Sequence, residues 1–291
     1  MCLLNEMSRL GYSFLVAHVN YKKRPESDKE EELVEKFCQG LRLPFFSSKI
    51  NPEEYLFVKN FQSWARNYRY TFFSEVARKN KSNHVVLAHH SDDHIETYLL
   101  QKERKSLVNH WGLSAKVSWS GKKKERIWLM RPLLNTDKKK IYEYLQQKKI
   151  TYSLDQSNFL PIYRRNIIRQ KVNKLSNWEK MRLLEEIIAQ NQNLSYTKNL
   201  LKELIKKAVK ENFSLDLTPL KSTSLEIRLR LIYYWVNKNT NKEFVVKKKS
   251  IWQEIEKQLF SSKANLKIVL DNNYLLKKDN FKIIIVKAPL V

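Results

Sequence analysis

The sequence predicts an α/β fold: a parallel sheet with helices on both faces, then an all-helical domain and a small β hairpin or meander at the end. Three observations predict it. Short apolar runs alternate with helical patterns as far as about residue 170. From about Val172 to Phe260 apolar positions keep helical spacing, as in MRLLEEIIAQ, LLKELIKKAVK and LEIRLRLIYYWV. Beyond 261, Leu266 to Leu270 and Phe281 to Val286 read as strands around the turn Asp271-Asn272-Asn273. The expected domains are 1–170, 171–260 and 261–291, and 291 residues suffice for two real cores.

In order, Met1 to Leu10 places Leu3, Leu4, Met7 and Leu10 on one helical face, and Gly11 ends it. Tyr12 to Val19 is a strand candidate. Ser27, with Asp28 and Glu30, caps a helix to about Gln39, which Gly40 closes. Pro44-Phe45-Phe46 leads into a short strand, and Phe61 to Asn80 is a long amphipathic helix carrying Arg66 and Arg69 three residues apart. Val85 to Ala88 is a buried strand ending at His89-His90. Ser91 then caps a helix that opens with Asp92 and Asp93. Lys102 to Arg126 is basic with little periodicity and reads as a mobile insertion. Ile127 to Met130 is a strand, Thr136 or Asp137 caps a helix to about Lys149, and Thr151 to Gln170 is a polar loop entering an Arg-rich helix start.

Lys and Arg outnumber Asp and Glu by 55 to 30, giving a formal net charge of +25 and a pI near 9.8. The excess runs along the whole chain, as a protein that neutralises nucleic-acid phosphates requires. The bland alternative is a lysine-rich composition with a solvated surface. Two separated cysteines, Cys2 and Cys38, give no disulfide framework and no metal spacing, which fits a reducing cytoplasm. No apolar run approaches membrane-spanning length, so no membrane partner is expected.

The chemistry concentrates where the 85–88 strand stops. Acidic residues in a first helical turn are often only caps, and an Arg pair on a helix is often only surface. Three His, two Asp and a Glu between 89 and 96 are harder to read that way. Strand carboxyl ends in open α/β sheets are where ligands bind. Carboxylates there, Asp92 and Asp93 first, suit Mg²⁺ with substrate phosphates completing its shell. A zinc pair at His90 and His94 ranks low, because His90 precedes the cap and Ser91 stands where a zinc protease has Glu.

Five pieces together resemble the tRNA(Ile)-lysidine synthetases of the PP-loop ATP-pyrophosphatase superfamily. They are AHVNYKKRPES at 17–27, ARNYRYTFF at 65–73, VVLAHHSDDHIETYLLQ at 85–101, MRPLLN at 130–135 and LDQSNFLPIYRRNIIRQ at 154–170. The resemblance covers the first 170 residues and extends to the helical remainder only by architecture. It implies a PP-loop (adenine nucleotide hydrolase-like) fold and a cytoplasmic ligase. ATP, with Mg²⁺, would adenylate C2 of the wobble cytidine of a CAU-anticodon tRNA(Ile). Free L-lysine would then displace AMP through its ε-amine, leaving lysidine, so that AUA is read in place of AUG.

The resemblance also implies roles. Asp93 would face the lysine cation, with Asp92 and Glu96 beside it at the nucleotide. Arg66 would stabilise the transferring phosphoryl group, and His89 would position the cytidine or move a proton. His18 and Asn20 would rim the nucleotide pocket. Arg69, Asp155, Asn158, Arg165 and Arg169 would serve the tRNA side and brace the two domains. A homodimer is compatible with it. The family's Ser-Gly-Gly-x-Asp-Ser phosphate loop is not in the sequence, which opens on the Met-Cys-Leu-Leu that would follow it, so a natural protein extending upstream is expected. Tyr21 stands where the family often has His, and only Gly112 and Gly121 fall in a stretch expected to be Gly-rich. The alternatives are another PP-loop tRNA modifier, such as a 2-thiolation enzyme, and a non-catalytic tRNA-binding protein.

Overall fold

The computed structural model describes residues 1–120, 126–153, 164–209, 214–240, 249–270 and 274–287. They form two compact units: residues 1–96 with 113–176, and residues 97–112 with 177–291.

The first unit begins with α1 (Cys2–Arg9), β1 (Val16–Asn20), α2 (Ser27–Gly40) and β2 (Phe45–Lys49). β1 and β2 are parallel, with Val16 opposite Phe45. α2 starts at Ser27 without a side-chain cap, because the Ser27 hydroxyl accepts from the Arg24 amide instead. Its exit also differs from expectation: Gly40 is still helical, and Arg42 takes the left-handed turn at φ 56°. α3 (Phe61–Lys79) is capped by Asn60, whose side chain accepts from the Ser63 amide.

A second sheet holds β3 (His84–Val86), β5 (Arg126–Met130) and β4 (Lys116–Ser120), in the order β3-β5-β4. β3 and β5 are parallel; β4 is antiparallel to β5. β4 lies in the stretch expected to be a loose insertion. The alternation of Val117 and Trp119 with polar neighbours is there, but it is only five residues long within a basic stretch, and pairing with β5 is what orders it. α4 (Ser91–Glu103) follows β3 and passes from the first unit into the second. α5 (Lys138–Gln147) opens on Asp137, whose carboxylate accepts from the Lys139 amide, and α6 (Arg164–Asn173) completes the unit. The observed sheets are thus parallel with one antiparallel edge strand.

The second unit is built on α7 (Asn177–Ala208), α8 (Leu225–Asn239) and α9 (Lys249–Leu259). Ile187, Leu194, Leu201 and Ala208 are buried at seven-residue spacing along α7. Leu201 and Ala208 join a core that includes Trp235 and Trp252, and Leu107 from the 97–112 segment enters it. The unit is not all helical. β6 (Leu215–Asp216) pairs antiparallel with β9 (Lys282–Lys287), which pairs with β8 (Tyr274–Asp279) and then β7 (Asn265–Val269). The expected terminal meander is present and gains β6, a two-residue strand too short to leave a period in sequence.

Candidate functional site

Side-chain parity builds the site. Along a strand, alternate residues share a face. Ile127 and Leu129 of β5 pack with Val85, Leu87, Phe73 and Tyr70, so that face of the sheet is covered by α3. Val85 sits opposite Leu129, and the ladder continues past β3 through the Leu87 amide to the Met130 carbonyl at 2.8 Å. The next residues of the same parity are His89 and Arg131. Both are thus carried to the end of the face that α3 covers, and α3 supplies Arg66 and Arg69, whose guanidinium groups lie over the Tyr70 ring at 5.1 and 5.6 Å.

The electrostatics follow from this crowding. Burial lowers the His89 pKa to about 4; Asp93 pulls it back up, while Arg131, Arg66 and Arg165 push it further down. The imidazole is therefore neutral at neutral pH. Arg66 is exposed along its side chain, yet desolvation at its guanidinium, with Arg69, Arg131 and Arg165 nearby, weakens its hold on its proton. Arg66, Asp93 and His89 share one neighbourhood on one face.

Asp93 accepts from the His90 amide at 3.0 Å and lies 3.4 Å from His90 Nε2 and 4.0 Å from Arg165. Its side chain stays 15% exposed. Asp92 is only 2% exposed, which leaves no face for a hydrated cation. Among the described residues no three His, Cys, Asp or Glu groups converge as a metal set. Glu96, expected beside the nucleotide, is engaged elsewhere. It is 2% exposed and accepts from Arg169 Nε at 2.8 Å and Arg165 Nε at 3.4 Å. This carboxylate ties α6 to α4 within the first unit.

His18 and Asn20 part company at the end of β1. Asn20 is buried, donates to Asp28 and Glu31, and accepts from the Lys22 amide, so its polar atoms are used in joining β1 to α2. His18 lines a cavity of about 400 Å³ with Ala88 and His90, which have the opposite parity to His89, and with Arg24, Tyr142 and Tyr152. Burial lowers the His18 pKa. Asp155 and Asn158 lie outside the described residues. Arg131 and Tyr70 are the residues that sequence reasoning did not select. The signal for Arg131 was the two-residue parity running from Ile127 through Leu129; Tyr70, on α3, had none.

A family model described as a PP-loop domain matches residues 1–176. The chain is 33% identical over 279 residues to a tRNA(Ile)-lysidine synthase of Mycoplasma mycoides subsp. mycoides SC, covering 95% of this chain and 67% of that one. It is 31% identical over 288 residues to a tRNA(Ile)-lysidine synthase of Mesomycoplasma hyopneumoniae, covering 96% of this chain and 89% of that one. Among solved structures, the U34-tRNA thiolase NcsA from Methanococcus maripaludis with its [4Fe-4S] cluster aligns over 65% of this chain and 66% of its own. Its TM-score is 0.50 at 14% identity, a likeness of fold. On its matched PP-loop domain and on relatives that align over nearly its whole length, the chain belongs to the tRNA(Ile)-lysidine synthase family.

Proposed function

We propose that this chain catalyses ATP-dependent formation of lysidine on tRNA(Ile) with a CAU anticodon. The cytidine C2 oxygen attacks the α-phosphorus of ATP; that P–O bond forms, the bond to the β-phosphate breaks, and pyrophosphate leaves. The ε-amine of free lysine, having lost a proton, then attacks C2; the C–N bond forms, the C2–O bond breaks, and AMP leaves. The observation that carries this reading is the grouping of one accessible carboxylate, Asp93, with Arg66 and Arg165 around a neutral His89. Asp93 receives the lysine cation. Arg66 meets the charge that develops on the transferring phosphoryl group. Neutral His89 keeps one N–H donor and one acceptor nitrogen, so it can position the base and its free nitrogen can take up a proton.

The cavity lined by His18, Ala88 and His90 is offered for the nucleoside part of ATP. Mg²⁺ would arrive on the ATP phosphates, and Asp93 is the carboxylate open enough to reach it. The second unit would hold the tRNA, and Arg69 of the first unit is offered as a separate tRNA contact. The reducing cytoplasm is the proposed compartment; among the described residues no helix is long and apolar enough to cross a membrane. A 2-thiolation reading draws on the structural likeness, but the sequence has two cysteines, both buried, and burial raises both thiol pKa values.

The test is ATP–pyrophosphate exchange, with and without lysine and the tRNA. It is run on the chain alone and on the chain preceded by a Ser-Gly-Gly-x-Asp-Ser loop segment. Exchange that needs the tRNA, with lysine transferred to it, is expected. No exchange from either form would instead favour a tRNA-binding protein without catalysis.

A further inference from the structure

Eight side-chain polar atoms among the described residues are shut off from solvent without a hydrogen-bond partner. Three of them, Tyr70 Oη, His89 Nδ1 and Arg131 Nε, belong to the face assembled above. Native proteins rarely leave such atoms unpaired, and a concentration of them asks for a ligand. Arg131 is 3% exposed. It spends Nη1 on the Ser114 carbonyl at 2.6 Å and its backbone amide on the Ala115 carbonyl at 2.9 Å. Among the described residues no carboxylate pairs with it. A buried guanidinium keeps its charge and, without a counter-ion, is a receptor for an anion. Arg66, electrostatically linked to Arg131, rests over the Tyr70 ring and, among the described residues, pairs with no carboxylate.

We propose that a phosphate group binds to Arg131, Tyr70 and Arg66 on the sheet face that His89 shares. The orphan Nε–H and phenol are donors of the kind that phosphate oxygens accept from, and guanidinium–phosphate pairing is short and charge-assisted. The anion reaches the covered donors by displacing the exposed Arg66 side chain, which then closes over it. The reading of the site given above supplies two sources for the phosphate, the polyphosphate of ATP and the RNA backbone. The chemistry of the receptor is the same for both.

The test follows the Arg131 Nε–H signal in the ¹⁵N–¹H NMR spectrum of the wild-type chain during titration with sodium pyrophosphate and, separately, with CAU tRNA in the absence of ATP. Calorimetry with the same two ligands is run on Tyr70→Phe, which keeps the ring under Arg66, and on Arg131→Met. The signal is expected to shift with at least one ligand. For that ligand the dissociation constant rises about 5-fold in Tyr70→Phe and about 10-fold or more in Arg131→Met. A shift with pyrophosphate assigns the site to ATP; a shift with tRNA alone assigns it to the backbone. An Arg131 signal unmoved by both ligands overturns the proposal, whatever the variants do, and so does unchanged affinity in Tyr70→Phe. Absence of tRNA-dependent exchange and of lysine transfer, with the shift intact, would sink the ligase reading and leave the phosphate site standing.

Discussion

At Asp93 the carboxylate takes one hydrogen bond from the His90 amide and keeps part of its surface open, whereas its neighbour Asp92 is enclosed. In the proposed reaction, Asp93 is therefore the carboxylate of this pair that is open enough to meet the lysine cation. Asp93→Asn keeps the shape and an acceptor for the His90 amide but removes the charge. Turnover is expected to fall about 100-fold or more, as when a preorganised electrostatic partner is lost. The tRNA affinity is expected to stay within about 2-fold, because one carboxylate adds little to a backbone-dominated affinity. Single-turnover kinetics beside filter binding check this, and a parallel loss of both would assign Asp93 to folding. His89 gives a second expectation. Its proton is held less tightly in the folded chain, at about 4, than at its ordinary 6.5. Between those values the unfolded chain binds more protons, so stability is fully present above the upper value and declines as pH falls toward the lower. Calorimetric midpoints for His89→Gln are expected to drop less than wild type between pH 7 and pH 5.

At the scale of elements, α6 is attached to α4 through a carboxylate held by two arginines 69 and 73 residues along the chain. Glu96→Gln leaves Arg169 facing a neutral amide in a site that excludes water from one side. The expected effect is about 2 kcal/mol, or about 30-fold less hydrogen-exchange protection over Arg164–Asn173. The sheet amides of β3 and β5 are expected to be unaffected. The same pair marks the limit of what could be read in advance. α3 and the start of α4 were legible, because helical spacing and the Ser91 start are local signals, whereas the strand before α4 is the half-buried His84–Val86 and not the buried Val85–Ala88 run expected. Glu96 was assigned to the nucleotide because sequence shows its helical neighbours and not its partners from a later helix. β4 and β6 were missed for a related reason: their stability comes from a neighbouring strand, and their own apolar residues are few, Val117 and Trp119 in β4 and Leu215 in β6. Arg131 was present in a recognised motif, but its value lies in being enclosed with no carboxylate partner among the described residues, which only three dimensions reveal.

For the whole molecule, the formal charge of +25 and an apolar surface on α7 make separable demands. Trp178 is 59% exposed with Arg182 over its ring at 4.8 Å, and Tyr196 is 77% exposed. Nearby, burial together with Arg230 and Lys202 depresses the Lys198 pKa, so like charges are crowded on this unit. If the second unit holds the tRNA, the cations neutralise phosphates and the rings stack on unpaired bases. These contributions answer salt differently, because only the phosphate contacts release counter-ions. Raising salt from 50 to 200 mM is expected to weaken tRNA binding about 1,000-fold, the drop that goes with roughly six or more phosphate contacts. Trp178→Ala is expected to weaken binding about 10-fold at every salt concentration and leave the slope alone. Lys202→Gln is expected to make the slope shallower by about one contact. Fluorescence anisotropy of labelled tRNA across the salt series measures all three. A wild-type slope near zero would mean that the positive charge is solvated surface, and the RNA would then have to be sought by the first unit alone.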